Sequence, residues 1–519
     1  MKEIKIKQDA YYDSVFLMLA SKHVKAASGV WEVVASMGTK TNIALMADIG
    51  FDAAVLNEAR PNDLIIAVKG DSREIIDGAF AAVDEFLSKS KDLSDDEEAY
   101  CPVNLSNAIR FSPESNMVLI SIPGEYAARE ARIALDSGLH VLMFSDNVSI
   151  EDEITLKQLA VEKGLLMMGP DCGTAIINGT PLCFANAVSR GNIGLVAASG
   201  SGLQEVTCCI DKLGGGISQA LGTGGRDLKD PRIGGMMMKM GIRALKEDTA
   251  TDVIVVISKP PAQEVADDIL NDLKQTGKPC VVSFLGQGKR EKDGNLWFAQ
   301  TLEEAAILSV ERSGADMAAG QDIVSSGNNN KALISEQVRT KTPTQKFIRG
   351  LFAGGTLADE ARIVLQDRGL EIYSNIQTDK KFKLADPKKA REHTLIDLGD
   401  DAFTVGRPHP MIDPSIRQEQ LAVELADPEV AVVLMDFVIG YGAHEDPAAP
   451  AAEFLLAAQE DPQFDMASKT VIASITGTKA DFQDISRQRK QLEAAGCIVM
   501  STNAKASRLA ADIIQGITK

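Results

Sequence analysis

From Met117 to about Leu308 the chain alternates short apolar runs with stretches of helical spacing. Met117–Ile122, His140–Phe144, Leu165–Met168, Ile217–Leu221, Asp252–Ile257 and Pro279–Phe284 are the apolar runs, with amphipathic patterns between them. Such alternation predicts parallel sheets with helices on both faces and ligands at the C-terminal ends of the strands. Before it, Lys2–Lys7, Val30–Ala35 and Asp63–Val68 read as strands, and Asp13–Ala26, Asn42–Asp48 and a stretch to about Leu87 read as helices. That order predicts a small α+β unit of ferredoxin-like or regulatory βαββαβ type. The acidic run Lys91–Glu98 reads as a solvated linker. Order falls away again around Ala315–Thr344, where Ser325–Asn330 has no apolar period, and a further α/β region follows Lys346.

One unit recurs at three places: an apolar run, a glycine-rich turn, then a helical pattern. Ile193–Ala198 runs into Ser199-Gly200-Ser201-Gly202; Ile348–Ala353 into Gly354-Gly355-Thr356; Val432–Phe437 into Gly440-Tyr441-Gly442. A strand that ends in glycines at a helix N-terminus leaves N–H groups and the positive end of a dipole directed at one spot. Each unit is therefore expected to seat an anion, most often phosphate. A phosphorylated small metabolite is the expected partner.

Composition narrows this picture. At 519 residues the chain exceeds a single core, and about three or four domains are expected. The apolar fraction of 45% is that of a folded soluble protein. A net charge of -19 argues against nucleic acid and anionic membrane as partners. No apolar run approaches the ~20 residues of a membrane span, and Met1–Lys7 lacks an apolar signal core, so a cytoplasmic location is expected. Seven scattered cysteines, none in a C-x-x-C pair, read as buried thiols in a reducing compartment.

Three loops add chemistry. Gly169-Pro170-Asp171-Cys172-Gly173 follows the run ending at Met168 and reads as a ligand loop or a plain tight turn; Cys172 reads as a small packing residue rather than a nucleophile. In Gly222-Thr223-Gly224-Gly225-Arg226-Asp227 the glycines let N–H groups close on a ligand. Arg226 either clamps a phosphate or carboxylate bidentately or pairs with an acidic neighbour. Lys259, at the end of the Asp252–Ile257 run, reads equally as an anion contact or a surface lysine. Of the five histidines, His23 and His140 read as structural. His409, in a rigid Pro-His-Pro loop, and His444, just past an apolar run, are the candidates for acid/base or polarising work. No His and carboxylate spacing matches a zinc motif, and no metal is expected.

Taken together, the Gly169–Asp171 turn, the Gly191–Val196 run, the Ser199–Gly202 turn and the Gly222–Asp227 loop resemble the α subunit of the succinyl-CoA synthetases. Thr394–Asp400 and Val432–Asp446 resemble the ligase domain of their β subunit, fused behind. With the extra N-terminal unit and the phrases Met168–Ala175 and Pro408–Pro414, the whole chain is similar to the FdrA family. The resemblance implies a small α+β unit over 1–95, a CoA-binding-type Rossmann domain over 96–190, an α-like ligase domain over 191–312, a linker over 313–344 and a β-like ligase domain over 345–519. The two ligase domains are expected to be flavodoxin-like with parallel sheets.

Two departures matter. The synthetases carry a phosphorylated histidine soon after the strand matching Pro279–Phe284, and here no histidine lies between His140 and His393. The glutamate that orients that phosphohistidine has no counterpart at Ser258-Lys259-Pro260-Pro261. A nucleotide-grasp domain is also missing. The resemblance implies a subunit of a carbamoyltransferase that moves a carbamoyl group between carbamoyl phosphate and a small amide acid such as oxamate, in allantoin and purine nitrogen catabolism. It would act in an oligomer with other subunits of a multi-protein complex. The alternatives are an acyl-CoA synthetase, with CoA near Pro123-Gly124-Glu125 and Asp146-Asn147, and a non-catalytic scaffold; no other cofactor is implied.

Overall fold

The computed structural model describes residues 1–8, 10, 12, 14–25, 29–89, 102–288, 290–325, 330–404 and 407–518. The acidic run at 91–98, Cys101 and residues 326–329 lie outside the described residues. The chain forms two compact units, Met1–Val103 with Thr404–Pro408, and Asn104–Phe403 with His409–Lys519.

In the first unit, strands β1 (Lys2–Lys7), β2 (Val30–Met37) and β3 (Leu64–Gly70) form a sheet of order β1-β3-β2, with β3 antiparallel to both neighbours. Side chains alternate across a strand. Leu64, Ile66 and Val68 therefore pack with Leu17, Val24, Val83 and Leu87 of two helices, while Ile65 and Ala67 pack with Met46, Phe51 and Leu56 on the other face. A βαββαβ unit has four strands; among the described residues this unit has three, and two helices, Lys40–Asp48 and Ala53–Leu56, fill the β2–β3 connection. Thr39 and Asp52 start them by accepting the N–H groups of Asn42 and Ala54.

The second unit holds three sheets. Strands β4 (Met117–Ile120), β5 (His140–Met143) and β6 (Met167–Met168) are parallel and adjacent in chain order. The second sheet contains β7 (Thr174–Ile177), β8 (Thr180–Cys183), β9 (Arg190–Ala198), β10 (Ile217–Gly222), β11 (Val253–Ser258), β12 (Cys280–Phe284) and β13 (Leu296–Phe298), in the order β13-β12-β11-β9-β10-β7-β8. The third contains β14 (Phe347–Phe352), β15 (Tyr373–Ser374), β16 (Thr394–Asp397), β17 (Val430–Val438), β18 (Thr470–Thr476) and β19 (Ile498–Met500), in the order β15-β16-β14-β17-β18-β19.

From β9 to β13 the order is 2-1-3-4-5, and β14 with β16 to β19 repeats it. That is the flavodoxin-like order, with a ligand crevice where the first strand's neighbours diverge. The α/β class with two flavodoxin-like parallel sheets is as expected. Two details differ. The hairpin β7–β8 pairs with β10, so residues 174–183 belong to the second sheet rather than to the β4–β6 layer. Residues 331–339, inside the expected linker, form a helix whose Gln337 accepts a hydrogen bond from Thr470 Oγ1 at 2.7 Å.

One continuous core joins the two flavodoxin-like sheets, drawing Leu195 from β9, Phe352 from β14 and Leu509 from the Asn503–Ile517 helix. The helices after β9 (Gly200–Lys212) and β14 (Gly355–Asp367) both enter it, with Leu203 and Leu357 fully buried. That shared core sets the N-termini of these two helices against each other. No described helix is long and apolar enough to cross a membrane.

Candidate functional site

The Gly200 and Gly355 helices meet at their first turns. Ser199 Oγ lies 2.6 Å from Thr356 Oγ1, and the Thr356 N–H donates to Ser201 Oγ at 3.3 Å. Ser199 also caps its own helix by accepting the Gly202 N–H at 3.0 Å. A Cβ on Gly354 would sit 2.9 Å from the Ser201 Cβ, so only glycine permits this approach.

What flanks each terminus differs. Beside β14, Phe352 pairs with Asp397 on β16, and Asp436 on β17 comes one residue past the Leu351–Met435 pair. Asp436 accepts the N–H groups of Ala353 at 2.7 Å and Gly354 at 2.8 Å. Arg417 holds the same carboxylate at 3.0 Å, and both side chains are buried. Asp397 lies over Gly355, where a Cβ would collide with its Oδ2. The Gly355 terminus is thus flanked by two carboxylates of the protein, and Asp436 caps the two residues that lead into it. Beside β9, the residues at the equivalent level are Gly222 and Ile257. Neither carries a charge, and the N–H groups of Gly200 and Ser201, like that of Gly355, have no acceptor among the described residues.

A band of charge crosses the junction. Lys259 follows β11 directly, where Ser258 is level with Ala198, and its Nζ reaches Asp359 of the Gly355 helix at 3.2 Å. Burial opposes the charge on Lys259, but Asp359, Asp397 and Asp171 outweigh it and keep its pKa above the usual value. Burial lifts Asp397 to about 7 against the pull of Lys259. Burial, then Asp146, lifts Asp171 to about 6. Burial and the charge of Lys259 lower the pKa of Lys229.

Several expected site residues take other roles. The Arg226 guanidinium is engaged by Glu153 at 2.8 Å and by the Val148 carbonyl at 2.9 Å. Glu153 also pairs with Lys157, which pairs with Asp227, all three fully buried. Arg226 is therefore the ion-paired arginine of the two readings, anchored to the helix at 150–163 and not a free clamp. Gly224 and Gly225 let this loop close on the Gly169–Asp171 loop.

Cys172 sits in the core, its thiol pushed up to about 12 by burial, so it is not a thiolate nucleophile. Within the expected ligand loop, Asp171 faces the charged band, Pro170 follows a cis peptide bond, and the Gly173 carbonyl accepts the Phe184 N–H.

The third glycine unit is no anion seat. After β17 the next helix starts only at Ala449, and several of the intervening N–H groups are taken: Gly440 by Gln483, Tyr441 by Ala185, His444 by Met411. Gly442 has a φ of 76° and serves the turn. His444 Nδ1 accepts from the Asp446 N–H. His409 accepts the Met411 N–H on Nδ1, and burial followed by the nearby Arg417 depresses it to about 4. It is neutral and weakly basic near pH 7, packed against Gly399 beside Asp397, which argues against general-base work.

The sequence reading missed Asp359, Asp397 and Lys229 as site residues, and also a buried network behind the site. Glu205 and Glu360 stand five residues past Gly200 and Gly355, respectively. Asn503 joins them: its N–H donates to Glu205 at 3.2 Å and its Nδ2 to Glu360 at 2.7 Å. The signal was legible as a glutamate at the same offset in two otherwise buried helices. In the loop after β12, where the synthetases carry their histidine, Gln287 Oε1 is buried with no hydrogen-bond partner among the described residues. A Cβ on the adjacent Gly286 would touch Pro260 and Ile363 at 3.6 to 3.7 Å.

Comparison with known proteins agrees with this architecture. A family model described as CoA-ligase matches residues 351–513, and one described as "AllF, heavy metal-associated domain" matches residues 1–101. Residues 1–101 contain one histidine, His23, which packs 5.4 Å from Phe86, and one cysteine, Cys101, which lies outside the described residues. Among the described residues no group of three His, Cys, Asp or Glu is placed to hold a metal.

The α subunit 2 of an ADP-forming succinate–CoA ligase from Archaeoglobus fulgidus is 26% identical over 34% of this chain and 61% of its own length. The sulfoacetate-CoA ligase subunit SqwL from an Acholeplasma species is 24% identical over 41% of this chain and 75% of its own length. These relatives are CoA ligase subunits by name. YahF of Escherichia coli (strain K12) matches from end to end, 43% identical over 99% of this chain and 98% of its own. The chain therefore belongs to the family of YahF, within the succinyl-CoA synthetase-like superfamily.

Proposed function

We propose that this protein is an acyl-phosphate enzyme that transfers the acyl group directly, with no phosphorylated side chain. The observation that carries the reading is the Gly200 terminus: N–H groups without acceptors among the described residues, at a switch point, with no carboxylate on the flanking strands, opposite a terminus flanked by Asp397 and Asp436. No histidine lies between His140 and His393 to relay a phosphoryl group.

The acyl group we assign is carbamoyl, as in the FdrA family, with an amide acid such as oxamate as acceptor. The amide nitrogen attacks the carbamoyl carbon, the C–O bond to phosphate breaks, and phosphate leaves with the electron pair. The nitrogen's proton passes to the leaving phosphate. The Gly200 and Ser201 N–H groups stabilise the charge gathering on that phosphate. An amide substrate also brings N–H donors, which suits the buried Gln287 Oε1 acceptor. The reading places the protein among other subunits of a larger complex. Phosphate release from carbamoyl phosphate plus oxamate, assayed with those subunits present, tests it. Release that depends on this chain is expected, and no turnover with every partner supplied would overturn it.

Acyl-CoA synthesis is the second reading, favoured by the CoA-ligase relatives and by one observation. The helix starting at Gly124 has no side-chain cap, and its first turn packs against the backbone of Asp146 and Asn147. Calorimetry with CoA separates the two: binding at sub-millimolar concentration favours the ligase reading.

A further inference from the structure

The two carboxylates that flank the Gly355 terminus are bonded unequally. Asp436 uses both oxygens: Oδ1 accepts the Ala353 N–H and the Arg417 guanidinium, and Oδ2 accepts the Gly354 N–H. Asp397 uses one. Its Oδ1 accepts the Gly399 N–H at 2.9 Å, while its Oδ2 has no hydrogen-bond or ion-pair partner among the described residues. Yet only 8% of the residue is exposed. A buried carboxylate oxygen without a partner is an exception that calls for a role. Nor is the residue loose. Asn375, itself buried, ties down both backbone groups of Asp397, accepting its N–H at 3.0 Å and donating to its carbonyl at 2.9 Å.

That unpartnered oxygen overlies Gly355, where any Cβ would collide with it. Gly355 stands between Gly354, whose Cβ would lie 2.9 Å from the Ser201 Cβ, and Thr356, whose Oγ1 lies 2.6 Å from Ser199 Oγ. We propose that Asp397 is the proton acceptor of the acyl transfer, its Oδ2 taking the N–H proton of the attacking amide. The inference rests on the acyl-phosphate reading and adds the group that moves its proton. The amide nitrogen forms its bond to the carbamoyl carbon as Oδ2 takes the proton. The C–O bond to phosphate breaks, and the electron pair leaves with the phosphate. The carboxyl then gives the proton to a phosphate oxygen, which restores the carboxylate for the next turnover.

The charged groups around Asp397 are Lys259 at the end of β11, which is paired with Asp359 of the Gly355 helix, Asp400 on its own loop, and Asp436 on β17. The His409 ring, against Gly399, is neutral near pH 7. Burial is the largest influence on the carboxyl. With Asp400 and Asp436 it outweighs Lys259 and the Gly399 N–H and sets the group at about 7. A base with that value is ionised just above neutrality and still holds a proton firmly enough to pass it on. The ionised form is the acceptor, so turnover is lost as pH falls through about 7.

The test is phosphate release from carbamoyl phosphate and oxamate by the full chain with its partner subunits, followed from about pH 5 to about pH 9. Wild-type kcat is expected to rise with pH around a midpoint near 7. Asp397→Asn keeps the shape of the side chain but cannot take the proton. It should lower kcat by about a hundredfold or more, the scale of general-base catalysis, and abolish the acidic limb of the profile. Asp397→Ala leaves room for a small carboxylate, so added formate should restore part of its turnover. Thermal melts should show both variants folded. A wild-type profile flat through about 7, or an unchanged kcat in Asp397→Asn, overturns Asp397 as the proton acceptor and leaves the acyl-phosphate reading standing. So does a lowered kcat that keeps the acidic limb in Asp397→Asn and gains nothing from formate in Asp397→Ala. Wild-type protein without turnover when every partner is supplied removes the reading and the inference together.

Discussion

The Gly200 and Gly355 helix termini start from the same local sequence logic and end in opposite states. Each follows the first strand of a 2-1-3-4-5 sheet, and each is glycine-rich. The Gly355 terminus meets Asp397 and Asp436 from the strands on either side, whereas the Gly200 terminus meets Gly222 and Ile257. A helix N-terminus is attractive to any anion, including the protein's own. Which groups it meets is decided by the neighbouring strands and not by its glycines.

This contrast is broken most forcefully at Asp436. Asp436→Ala should cost about 3–5 kcal/mol, because it strands the buried Arg417 as well as two backbone N–H groups. Urea unfolding measures it, and a loss near zero would mean that the carboxylate does not fill that terminus. A smaller effect is expected at Ser199, where Ala removes a cap and the Thr356 contact, for about 1 kcal/mol by the same assay.

Behind both termini, Glu360 is raised to about 8 by burial and then by Glu205. The folded protein therefore holds a proton that the unfolded chain loses near the ordinary glutamate value. This contribution to stability is full below that value and is lost as pH rises through about 8. Melting temperature should fall with rising pH, and Glu360→Gln should flatten that slope. An unaltered slope would place the proton elsewhere. The smallest effect is expected at Cys172: with its thiol near 12 it should resist iodoacetamide in the native state, and Cys172→Ala should leave activity in place. Rapid labelling followed by inactivation would return it to the candidate nucleophiles.

Strand–helix alternation from Met117 onward gave the parallel sheets because fully buried strands such as Val253–Ser258 need continuous apolar runs. The three glycine units were equally legible as turns, yet their surroundings differ. Gly440 fails as a seat because Gln483, 43 residues later in the chain, takes its N–H. Arg226 fails as a clamp because Glu153 and Lys157, on a helix well upstream, form a buried ion network with its loop. Lys259 was readable as a coin-toss between surface and site, and its partner Asp359 lies 100 residues away in sequence.

The sequence by itself determined the element types, the sheet class and the absence of a relay histidine. All three follow from residue identity and short-range periodicity. Only the tertiary structure decided which helix terminus meets the protein's own carboxylates and that Lys259 crosses between the two sheets to Asp359. Those depend on strand register and on desolvation across two sheets, where an aspartate one residue past a paired position turns an anion seat into an internal cap.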